Sequence, residues 1–351
     1  MPAVKLVSRN EIFISVVIPV RNEARNIGIL LQDLENQDYP ANKFEVIVVD
    51  DHSTDETREI VMASRLKSVI TIRLVEFKNT YPGQHSSKKA AITAGVDAAS
   101  GELIVLTDGD SRLKTGWLTF IRNHFTAMDL KLVAGPVFVR SGRSFIGRIQ
   151  SVEFASLIGS GAALFAWNYP TLCNGANLAF SRRTFLEVGG YSGNEGIISG
   201  DDEFLLKKIQ KKYPGQAGFL KSREAIVLTP PAENIRNFIQ QRKRWAGKWK
   251  KHGNSTNMYL ALFIFFIHCG ILAGFVLTLL GYIPVLNFAG LIFVKIFLEF
   301  ILIRDIFNFA GMKMEPGPFI TCSILYSFYA VIFGILANTG GYSWKGRKYK
   351  N

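Results

Sequence analysis

The stretch that decides the fold is "EVIVVDDHSTDE" (Glu45–Glu56). Its opening, Glu45–Val49, is a short run of mostly β-branched apolar residues, which predicts a strand buried inside a sheet. The letters "DHSTDE" that follow are rich in helix-capping residues, so a helix is predicted over Thr54–Leu66. Two acidic residues, Asp50 and Asp51, fall where the predicted strand ends.

Strand and helix alternate in the same way on both sides of this stretch. Further strands are predicted at Ile12–Ile18, Ile70–Val75 and Leu103–Leu106, and helices at Glu23–Asn36 and Ser86–Ala99. Continuous apolar strands separated by helices predict an α/β fold with a mostly parallel sheet between helices. Ligands of such sheets bind beyond the carboxyl ends of the strands, so acidic residues at those ends are expected to share one rim.

A second acidic pair follows another buried strand, in "IVLTDGDS" (Ile104–Ser111). Asp108 and Asp110 flank one glycine, so a turn can point both carboxylates the same way. Desolvation and mutual repulsion oppose such a pair unless a positive charge lies beside it. Carboxylate oxygens suit Mg²⁺ or Mn²⁺, which keep waters and substrate phosphates as further ligands. A metal site at Asp108 and Asp110 is therefore expected, the alternative being a tight acidic turn.

Asp50, Asp51 and Lys88 are the other candidates at this rim. A carboxylate there can accept a hydrogen bond from a nucleobase N–H or a ribose hydroxyl. The alternative is capping of the next helix, for which Ser53 or Asp55 would suffice. Lys88 lies at the start of a predicted helix facing the rim, where its ammonium can meet a phosphate. A solvated lysine is the alternative at that position.

An acidic pair also opens a later amphipathic helix, "GDDEFLLKKIQKK" (Gly200–Lys212). A carboxylate at such a position, after the loop "GNEGIISG", is well placed to act as a general base on an acceptor hydroxyl. Helix capping is the alternative for either residue. We predict that Asp201 caps the helix and that Asp202 reacts.

The sequence "QRKRW" (Gln241–Trp245) lies in a basic amphipathic helix predicted over Ile235–Lys251. At helical spacing, Gln241, Arg244 and Trp245 share one face. An amide, a guanidinium and a flat ring together suit a diphosphate and an acceptor sugar. A basic interfacial helix with a tryptophan anchor is the alternative.

The distribution of charge and the cysteine content indicate the cellular compartment in which the protein functions. It has 351 residues and a formal net charge of +13, and residues 236–251 hold seven basic side chains and no acid. A very apolar region follows directly, an order typical of a juxtamembrane belt that faces anionic headgroups on the cytoplasmic side. No recognised nucleic-acid motif accompanies the charge, which argues against a nucleic-acid partner. Three cysteines without a CxxC pair fit a reducing compartment.

Three apolar runs after the belt are each long enough to cross a bilayer: 258–282, 284–303 and 317–339. Within the second run, Lys295 and Glu299 are spaced as an ion pair. Three crossings would place the C-terminus outside, yet the basic end "WKGRKYK" is expected inside. One run is therefore expected to be re-entrant or interfacial, and the sequence leaves open which. An earlier segment, Phe145–Trp167, is expected to lie on the membrane surface, with a place in the core as the alternative.

These features predict four regions. They are a catalytic domain (1–234), an interfacial helix (235–256), a membrane region (257–340) and a basic cytoplasmic tail (341–351). The expected location is the cell (inner or plasma) membrane, with several crossings and a cytoplasmic catalytic domain.

Five motifs in order resemble the family 2 glycosyltransferases. They are "VVIPVRNE" (Val16–Glu23), "VVDDHSTD" (Val48–Asp55), "TDGD" (Thr107–Asp110), "GDDEFL" (Gly200–Leu205) and "QRKRW" (Gln241–Trp245). The C-terminal "WKGRKY" (Trp344–Tyr349) is similar to the ends of membrane-bound members that glycosylate lipids. The resemblance implies a GT-A fold, a nucleotide-diphosphate sugar as donor, a UDP-sugar by family habit, and inversion at the anomeric carbon.

The resemblance also implies roles for individual residues. Asp202 would be the catalytic base, and Asp108 and Asp110 would hold the diphosphate, Asp110 chiefly through Mg²⁺ or Mn²⁺. The remaining nucleotide-sugar site would comprise Pro19, Arg21, Glu23, Asp50, Asp51, Lys88, Gln241, Arg244 and Trp245. The acceptor side would comprise Asn174, Gly175, Asn177, Asp201 and Trp245. Ser87 and Thr93 depart from the family pattern around Lys88, where glycine and asparagine are usual.

Other functions remain open beside single transfer to a membrane lipid or lipid-linked acceptor. A processive polysaccharide synthase shares the Q-x-x-R-W motif, but such synthases usually thread their polymer through more spans than the three runs here. A sugar-nucleotidyltransferase predicts a glycine-rich basic loop after the first strand, and "PVRNEARN" contains no glycine. A non-enzymatic membrane scaffold would need none of the acidic sites.

Overall fold

The chain forms two compact units in the computed structural model, which describes residues 12–77, 88–140, 142, 144–193, 200–246, 255–336, 342–344 and 347–349. The first unit joins Met1–Phe138 to Ser160–Pro230, and the second joins Val139–Gly159 to Pro231–Asn351. The division differs from the expected boundary at residue 234 mainly because residues 139–159 group with the C-terminal part of the chain.

A seven-stranded sheet with a shorter two-stranded sheet forms the framework of the first unit. The strands are β1 (Ile14–Val20), β2 (Phe44–Asp50), β3 (Thr71–Glu76), β4 (Leu103–Leu106), β5 (Leu132–Ala134), β6 (Val137–Val139), β7 (Leu178–Ser181), β8 (Ala217–Phe219) and β9 (Val227–Thr229). The large sheet has the order β3-β2-β1-β4-β7-β5-β8, and β6 pairs with β9. Strands β1 to β4 are parallel, whereas β7 runs antiparallel to both β4 and β5. The expected mostly parallel sheet is therefore confirmed, with one reversed strand, β7, between β4 and β5.

Seven helices complete the first unit and lead into the second. They are α1 (Ile27–Glu35), α2 (Thr57–Lys67), α3 (Lys88–Ala98), α4 (Trp117–Ala127), α5 (Phe145–Ala166), α6 (Arg182–Glu187) and α7 (Asp201–Lys212). Two of the predicted helices begin later than expected. Before α1, the backbone N–H groups of Asn26 and Ile27 both donate to the Glu23 carbonyl. Before α2, the Asp55 carboxylate accepts from the Thr57 backbone N–H and hydroxyl. Each turn uses residues that were expected inside the helix.

The stretch "LCNGANLAF" (Leu172–Phe180) has the sequence pattern of a strand with a polar interruption. Its polar part forms a turn in which the Asn177 N–H donates to the Asn174 carbonyl, and the Asn174 side chain accepts from the Ala176 N–H. The strand β7 therefore begins only at Leu178.

Close packing of α3 against the sheet fixes the position of the rim. A Cβ on Gly95 of α3 would lie only 2.4 Å from a Val17 methyl of β1, so glycine permits the helix to approach the strand. The facing strands β1, β2 and β4 are almost wholly buried and rich in valine and isoleucine. This tight contact positions the start of α3, including Lys88, at the edge of the sheet.

The second unit is mainly helical. It contains residues 145–159 of α5, α8 (Ile235–Ala246), α9 (Ser255–Leu279), α10 (Val285–Ala310), α11 (Pro316–Leu336) and a hairpin of β10 (Tyr342–Trp344) and β11 (Arg347–Tyr349). In the described part of the chain, four helices are long and apolar enough to cross a membrane: α5, α9, α10 and α11. Of the most apolar stretch of α5, 44% is buried within the protein, against 6% for α10.

Three sequence expectations change in this unit. Helix α10 continues to Ala310, so most of the expected polar link after Ile303 is helical. The expected basic tail contains an antiparallel hairpin. The described part of the basic helix ends at Ala246, so the rest of the predicted belt up to Lys251 lies outside the described residues.

Candidate active site

The candidate site lies at one edge of the large sheet. Val20 pairs with Asp50 and Val17 with Leu106, so the carboxyl ends of β1, β2 and β4 reach the same edge. The reversed strand β7 brings its amino end there instead, because Leu178 pairs with Leu106. The turn before β7 and the acidic residues after β2 and β4 therefore arise from neighbouring strands.

An ion pair between Lys88 and Asp108 occupies this edge. The Lys88 Nζ lies 2.5 Å from the Asp108 Oδ1, and the two side chains are 18% and 37% exposed. Burial alone would lower the pKa of Lys88, but the carboxylates of Asp108, Asp201 and Asp202 outweigh burial and raise this pKa well above its ordinary value. The lysine is therefore a fixed positive charge among several carboxylates.

Gly175 lies between the lysine and the acidic start of α7. A Cβ at this position would lie 3.5 Å from the Lys88 Nζ, 3.7 Å from the Asp201 Oδ2 and 3.9 Å from the Asp202 Cβ. The Gly175 backbone N–H donates to the Asp202 Oδ2 at 3.1 Å. The structure thus brings four predicted site residues, Lys88, Gly175, Asp201 and Asp202, to one place.

Backbone donors hold the orientation of Asp202. Its Oδ1 accepts from the Glu203 N–H at 2.9 Å, in addition to the bond from Gly175 to Oδ2. The N-cap of α7 is Gly200 in a left-handed conformation, so the expectation that Asp201 is the capping residue is wrong. Asp201 is instead the first helical residue and is 8% exposed.

Asp50 and Asp51 differ in their surroundings. Asp50 is fully buried, and its carboxylate accepts from Arg58 Nε at 2.6 Å and from the Ser53 backbone N–H at 3.2 Å. Asp51 Oδ1 lies 3.1 Å from the His52 Nδ1, on a ring that is 47% exposed. The Asp50 carboxylate therefore has a structural role, whereas Asp51 lies beside an exposed polar ring.

The loop after β1 supports the backbone beside Asp50 and Asp51. Arg21 Nη1 donates to the Asp51 carbonyl at 2.7 Å and to the His52 carbonyl at 3.2 Å. Glu23 is 7% exposed, and its Oε2 accepts from Asn26 Nδ2 at 2.8 Å. Pro19 lies within β1 opposite Val49. Arg21 thus ties the end of β1 to the residues that follow β2, and the Glu23 side chain stabilises the turn before α1.

The turn that carries Asp108 and Asp110 packs directly against the end of β1. A Cβ on Gly109 would lie 3.0 Å from both the Glu23 Cγ and the Val20 Cγ1. The hydroxyls of Thr107 and Ser111, which flank the turn, are buried and have no hydrogen-bond partner among the described residues. The glycine between the two carboxylates is therefore needed for close packing. The two buried hydroxyls that flank the turn can still form hydrogen bonds.

Asn177 lies apart from the other acceptor-side candidates. It is 1% exposed; its Nδ2 donates to the carbonyls of Pro136 and Ala225, and its Oδ1 accepts from Trp117 Nε1 at 3.0 Å. These bonds join β6 and β9 with α4 in the interior. Asn174 and Gly175 are at the rim, and the buried Asn177 side chain supports the turn that carries them.

A divalent cation at Asp108 and Asp110 would need further ligands beyond the acidic, histidine and cysteine side chains of the described residues. Among the described residues, no three acidic, histidine or cysteine side chains converge closely enough to hold a metal ion. Mg²⁺ and Mn²⁺ are commonly held by one or two carboxylates, with phosphates and waters completing the shell. The donor set and the unpartnered hydroxyls of Thr107 and Ser111 are compatible with such a shared site.

Tyr191 is a site neighbour that sequence reasoning missed. Burial, together with the charges of Asp201 and Asp202, raises the pKa of the Tyr191 phenol well above its ordinary value, and within the described residues its buried hydroxyl has no hydrogen-bond partner. It therefore remains a proton donor near the acidic start of α7. A tyrosine before a loop carries no sequence signal for this placement.

The Q-x-x-R-W residues belong to the second unit. Gln241, Arg244 and Trp245 are half-buried on α8. The neighbouring Arg242, which the sequence did not single out, is buried and contacts both Gln241 and Trp245. The helical prediction for this motif is thus met, and its most buried member was missed.

The fold, the acidic rim and the motif helix together define a class of protein. The sequence model of "Glycosyl transferase family 2" matches residues 15–190, half of the chain, and that of "Glycosyl transferase family group 2" matches residues 103–333. The chain belongs to glycosyl transferase family 2.

Curated relatives cover part of the chain. Glycosyltransferase AglE of Haloferax volcanii is 34% identical over 125 residues, covering 36% of this chain and 39% of AglE. The dodecaprenyl-phosphate galacturonate synthase of Rhizobium johnstonii is 30% identical over 150 residues, covering 42% of each chain. The poly-beta-1,6-N-acetyl-D-glucosamine synthase of Staphylococcus epidermidis is 26% identical, covering 42% of this chain and 34% of the synthase. The chain therefore matches less than half the length of each of these relatives.

A solved structure shares the fold. Mannosyltransferase PcManGT from Pyrobaculum calidifontis, in complex with GDP-Man and Mn²⁺, matches with a TM-score of 0.52 and 23% identity. The match covers 70% of this chain and 64% of PcManGT. It confirms the GT-A fold predicted from the sequence.

Proposed function

We propose that this chain is a membrane-bound inverting glycosyltransferase that moves a sugar from a nucleotide-diphosphate sugar to a hydroxyl of a lipid or lipid-linked acceptor. The observation that carries the proposal is the convergence of Lys88, Asp108, Asp201 and Asp202 around Gly175 at the rim of the sheet. One fixed positive charge and several carboxylates on a strand-end rim suit a diphosphate, a cation and a hydroxyl that must lose its proton.

Asp202 is the proposed general base. The two backbone bonds hold its carboxylate in one orientation, which is a requirement for accepting a proton along a defined path. Loss of that proton lets the acceptor oxygen attack the anomeric carbon from the face opposite the nucleotide, with inversion. Asn174 and Gly175 would border the acceptor, and Tyr191 could donate to it or to Asp201.

Asp108, Asp110 and Lys88 are the proposed diphosphate site. When bound, Mg²⁺ or Mn²⁺ neutralises negative charge that grows on the leaving diphosphate. Asp110 is proposed as the main metal ligand, because Asp108 already contacts Lys88. Lys88 supplies a permanent positive charge to the same phosphates.

Asp51 is proposed as the acceptor for the nucleobase or ribose of a UDP-sugar, with Arg21 fixing its backbone. Asp50 is less suited, because Arg58 and Ser53 already bind its carboxylate. Gln241, Arg244 and Trp245 are proposed to meet the diphosphate and the acceptor. Their spacing on one face of α8 supports the role, as does the family to which the chain belongs.

The lipid acceptor is supported by the apolar helices of the second unit and by the prenyl-phosphate chemistry in the name of one relative. A processive synthase remains the second candidate, because another relative is named as a polysaccharide synthase. Single transfer is favoured, because the apolar helices α9, α10 and α11 are fewer than the spans through which such synthases usually thread their polymer.

The side-chain contacts between α9 and α11 indicate that the two helices are antiparallel. A Cβ on Gly334 of α11 would lie 2.6 Å from the Phe265 ring of α9, and farther along α9, His268 Nδ1 lies 3.0 Å from the Ser327 Oγ. Residues farther along α9 therefore contact residues nearer the amino end of α11. Phe333 also packs against Phe238 of α8, with ring centroids 6.3 Å apart. These contacts favour an antiparallel pair. The carboxyl end of α11 packs against α8, and just before its amino end the Glu315 Oε2 accepts from the Arg148 Nη1 of α5 at 2.6 Å.

We propose that one of the three apolar helices α9, α10 and α11 does not cross the membrane, because an even number of crossings leaves the basic segments near α8 and at the C-terminus both on the cytoplasmic, anionic side. Single cysteines replacing the exposed Arg236 and added at the C-terminus test it with an impermeant maleimide on sealed vesicles. Labelling of both cysteines on the same side supports the proposal, and labelling on opposite sides contradicts it. Cysteines replacing Tyr282 and Lys313 then identify the helix that does not cross.

The activity is tested with membranes containing the protein, Mg²⁺ or Mn²⁺, and a panel of radiolabelled UDP- and GDP-sugars. Label in organic-extractable lipid, lost in Asp202→Asn, is the expected result and identifies the donor. Label in high-molecular-weight material would instead identify a synthase. No metal-dependent transfer or donor hydrolysis with any sugar would contradict the proposed function.

A further inference from the structure

The second unit contains a buried ion pair on the motif helix. Arg242 of α8 and Glu153 of α5 are 3% and 6% exposed. Arg242 Nε donates to Glu153 Oε1 at 2.9 Å, and its Nη2 donates to Glu153 Oε2, so the contact is bidentate. Two nitrogens of one guanidinium on two carboxylate oxygens fix both distance and rotation.

A third helix completes this cluster. The Tyr329 hydroxyl of α11 donates to the same Glu153 Oε1 at 2.9 Å. The Phe238 ring packs against Tyr329, with centroids 6.2 Å apart, and the Arg242 guanidinium lies 4.5 Å from the Phe238 centroid. Residues from α5, α8 and α11 therefore meet at one carboxylate.

Arg242 also contacts two of the motif residues directly. Its Nη1 donates to the Gln241 Oε1 at 2.6 Å, and its guanidinium lies 4.2 Å from the Trp245 ring centroid. Phe154 packs on the other side, with ring centroids 5.8 Å from Trp245. The bond to Arg242 occupies the amide oxygen of Gln241, which leaves its NH₂ group to donate elsewhere.

A purely structural ion pair does not require these extra contacts. Burying two charges costs solvation, and well-packed apolar residues often stabilise a protein equally well. The Arg242 guanidinium instead has three kinds of contact. It forms an ion pair with Glu153, donates to Gln241 and lies over the ring of Trp245. Its geometry links the orientation of the motif to helices α5 and α11.

We propose that Arg242 is a positioning residue that orients Gln241 and Trp245 for the transfer reaction, with Glu153 and Tyr329 holding Arg242 in place. The inference rests on the proposed function, because it concerns the same motif. Arg242 acts through Gln241 and Trp245 and has no contact of its own with the substrate in this account.

A double-mutant cycle on donor kinetics tests the proposal. Gln241→Ala alone is expected to lower kcat/KM for the donor by about tenfold, the equivalent of about one hydrogen bond to a charged group. Arg242→Met is expected to lower it by a similar factor. If Arg242 acts through Gln241, the double variant is little worse than either single one. Losses that multiply to about a hundredfold would overturn the proposal.

A second variant separates positioning from folding. Replacing the pair together, as Arg242→Met with Glu153→Met, removes the unpaired buried charge and is expected to restore the thermal unfolding temperature toward wild type. The proposal predicts that donor kcat/KM stays low in this variant although stability recovers. Recovery of kcat/KM along with stability would show a merely structural role.

The matched control is Arg236→Met, at an exposed arginine on the same helix. It is expected to leave donor kcat, KM and unfolding temperature unchanged. A wild-type protein with no transfer activity would contradict the proposed function itself. Failure of the Arg242 proposal is a different result, in which wild type is active and the losses multiply or recover with stability.

Discussion

The two units of this chain handle charge in opposite ways. At the rim of the first unit, Lys88 faces the carboxylates of Asp108, Asp201 and Asp202, so negative charge exceeds positive among them. In the second unit, the buried charge of Arg242 is matched by that of Glu153. An unbalanced, partly exposed cluster suits a cation and a phosphate from outside, whereas a balanced buried pair holds helices in register. The charged groups at the rim are thus suited to binding and reacting, and the buried pair is suited to positioning the helices that carry it.

The first way to test this difference is to neutralise the proposed base. Asp202→Asn keeps the shape of the side chain, but its single carbonyl oxygen can accept only one of the two backbone bonds and the amide cannot take a proton. Transfer is expected to fall by about 10²–10⁴-fold, the usual contribution of a positioned general base. Initial rates at saturating donor and acceptor measure it. An unchanged unfolding temperature serves as control, and a loss below tenfold would contradict the role.

The second test breaks the balanced pair. Arg242→Met alone leaves the Glu153 carboxylate buried without its partner, which costs about 3–5 kcal/mol of stability. Thermal unfolding in detergent or nanodiscs is the measurement. An unfolding temperature equal to that of wild type would contradict this prediction, because it would show that Arg242 does not stabilise the buried Glu153 carboxylate.

The third test concerns the metal. Asp110→Asn is expected to lower transfer about 100-fold, because cation binding at the diphosphate is worth several kcal/mol in the transition state. The variant should need a higher Mn²⁺ concentration for half-maximal rate, and wild type should lose activity in EDTA and regain it with Mn²⁺. Full activity of the wild type in EDTA would show that transfer needs no divalent cation and would contradict the proposed metal site.

The fourth and smallest effect is at the opposite edge of the same sheet. Burial would raise the pKa of Glu45, but bonds from the Ser100 N–H, the Ser15 hydroxyl and Arg73 outweigh it and lower the pKa. Since the folded-state pKa is the lower one, this stabilisation is complete above the ordinary glutamate pKa and is lost as pH falls through the folded-state value.

Glu45→Gln is accordingly expected to cost about 1–3 kcal/mol near neutral pH and to flatten the loss of stability in acid. Unfolding temperatures at pH 7 and pH 4 measure both effects. Transfer by the folded variant should match wild type, because Glu45 lies at the amino ends of the strands, away from the rim. A variant as stable as wild type at pH 7 would show that the buried bonds contribute nothing.

Much of the first unit could be predicted because its signals are local. The buried strand at Glu45–Val49 and the acidic residues after it are adjacent in the chain, and parallel strands bring their carboxyl ends together. The reversal of β7 could not be predicted, because its direction depends on pairing with β4 and β5 rather than on its own residues. That reversal is what brings Gly175 to the rim.

The second unit was harder to predict for the same reason. Its apolar runs were visible by length and composition, but Arg242 looked like one basic residue among several on an amphipathic helix. Its partners Glu153 and Tyr329 are far away in sequence, so no spacing indicated them. The arrangement of α9, α10 and α11 likewise depends on which side chains meet across helices.

The most direct test of the central claim, displacement at the rim with Asp202 as base, is the anomeric configuration of the product. The glycolipid or glycan formed from a donor of known α configuration is purified, and its anomeric proton coupling is read by NMR. The account predicts a β-linked product from wild type, formed about 10²–10⁴-fold more slowly by Asp202→Asn. An α-linked product would contradict direct displacement and the proposed role of Asp202.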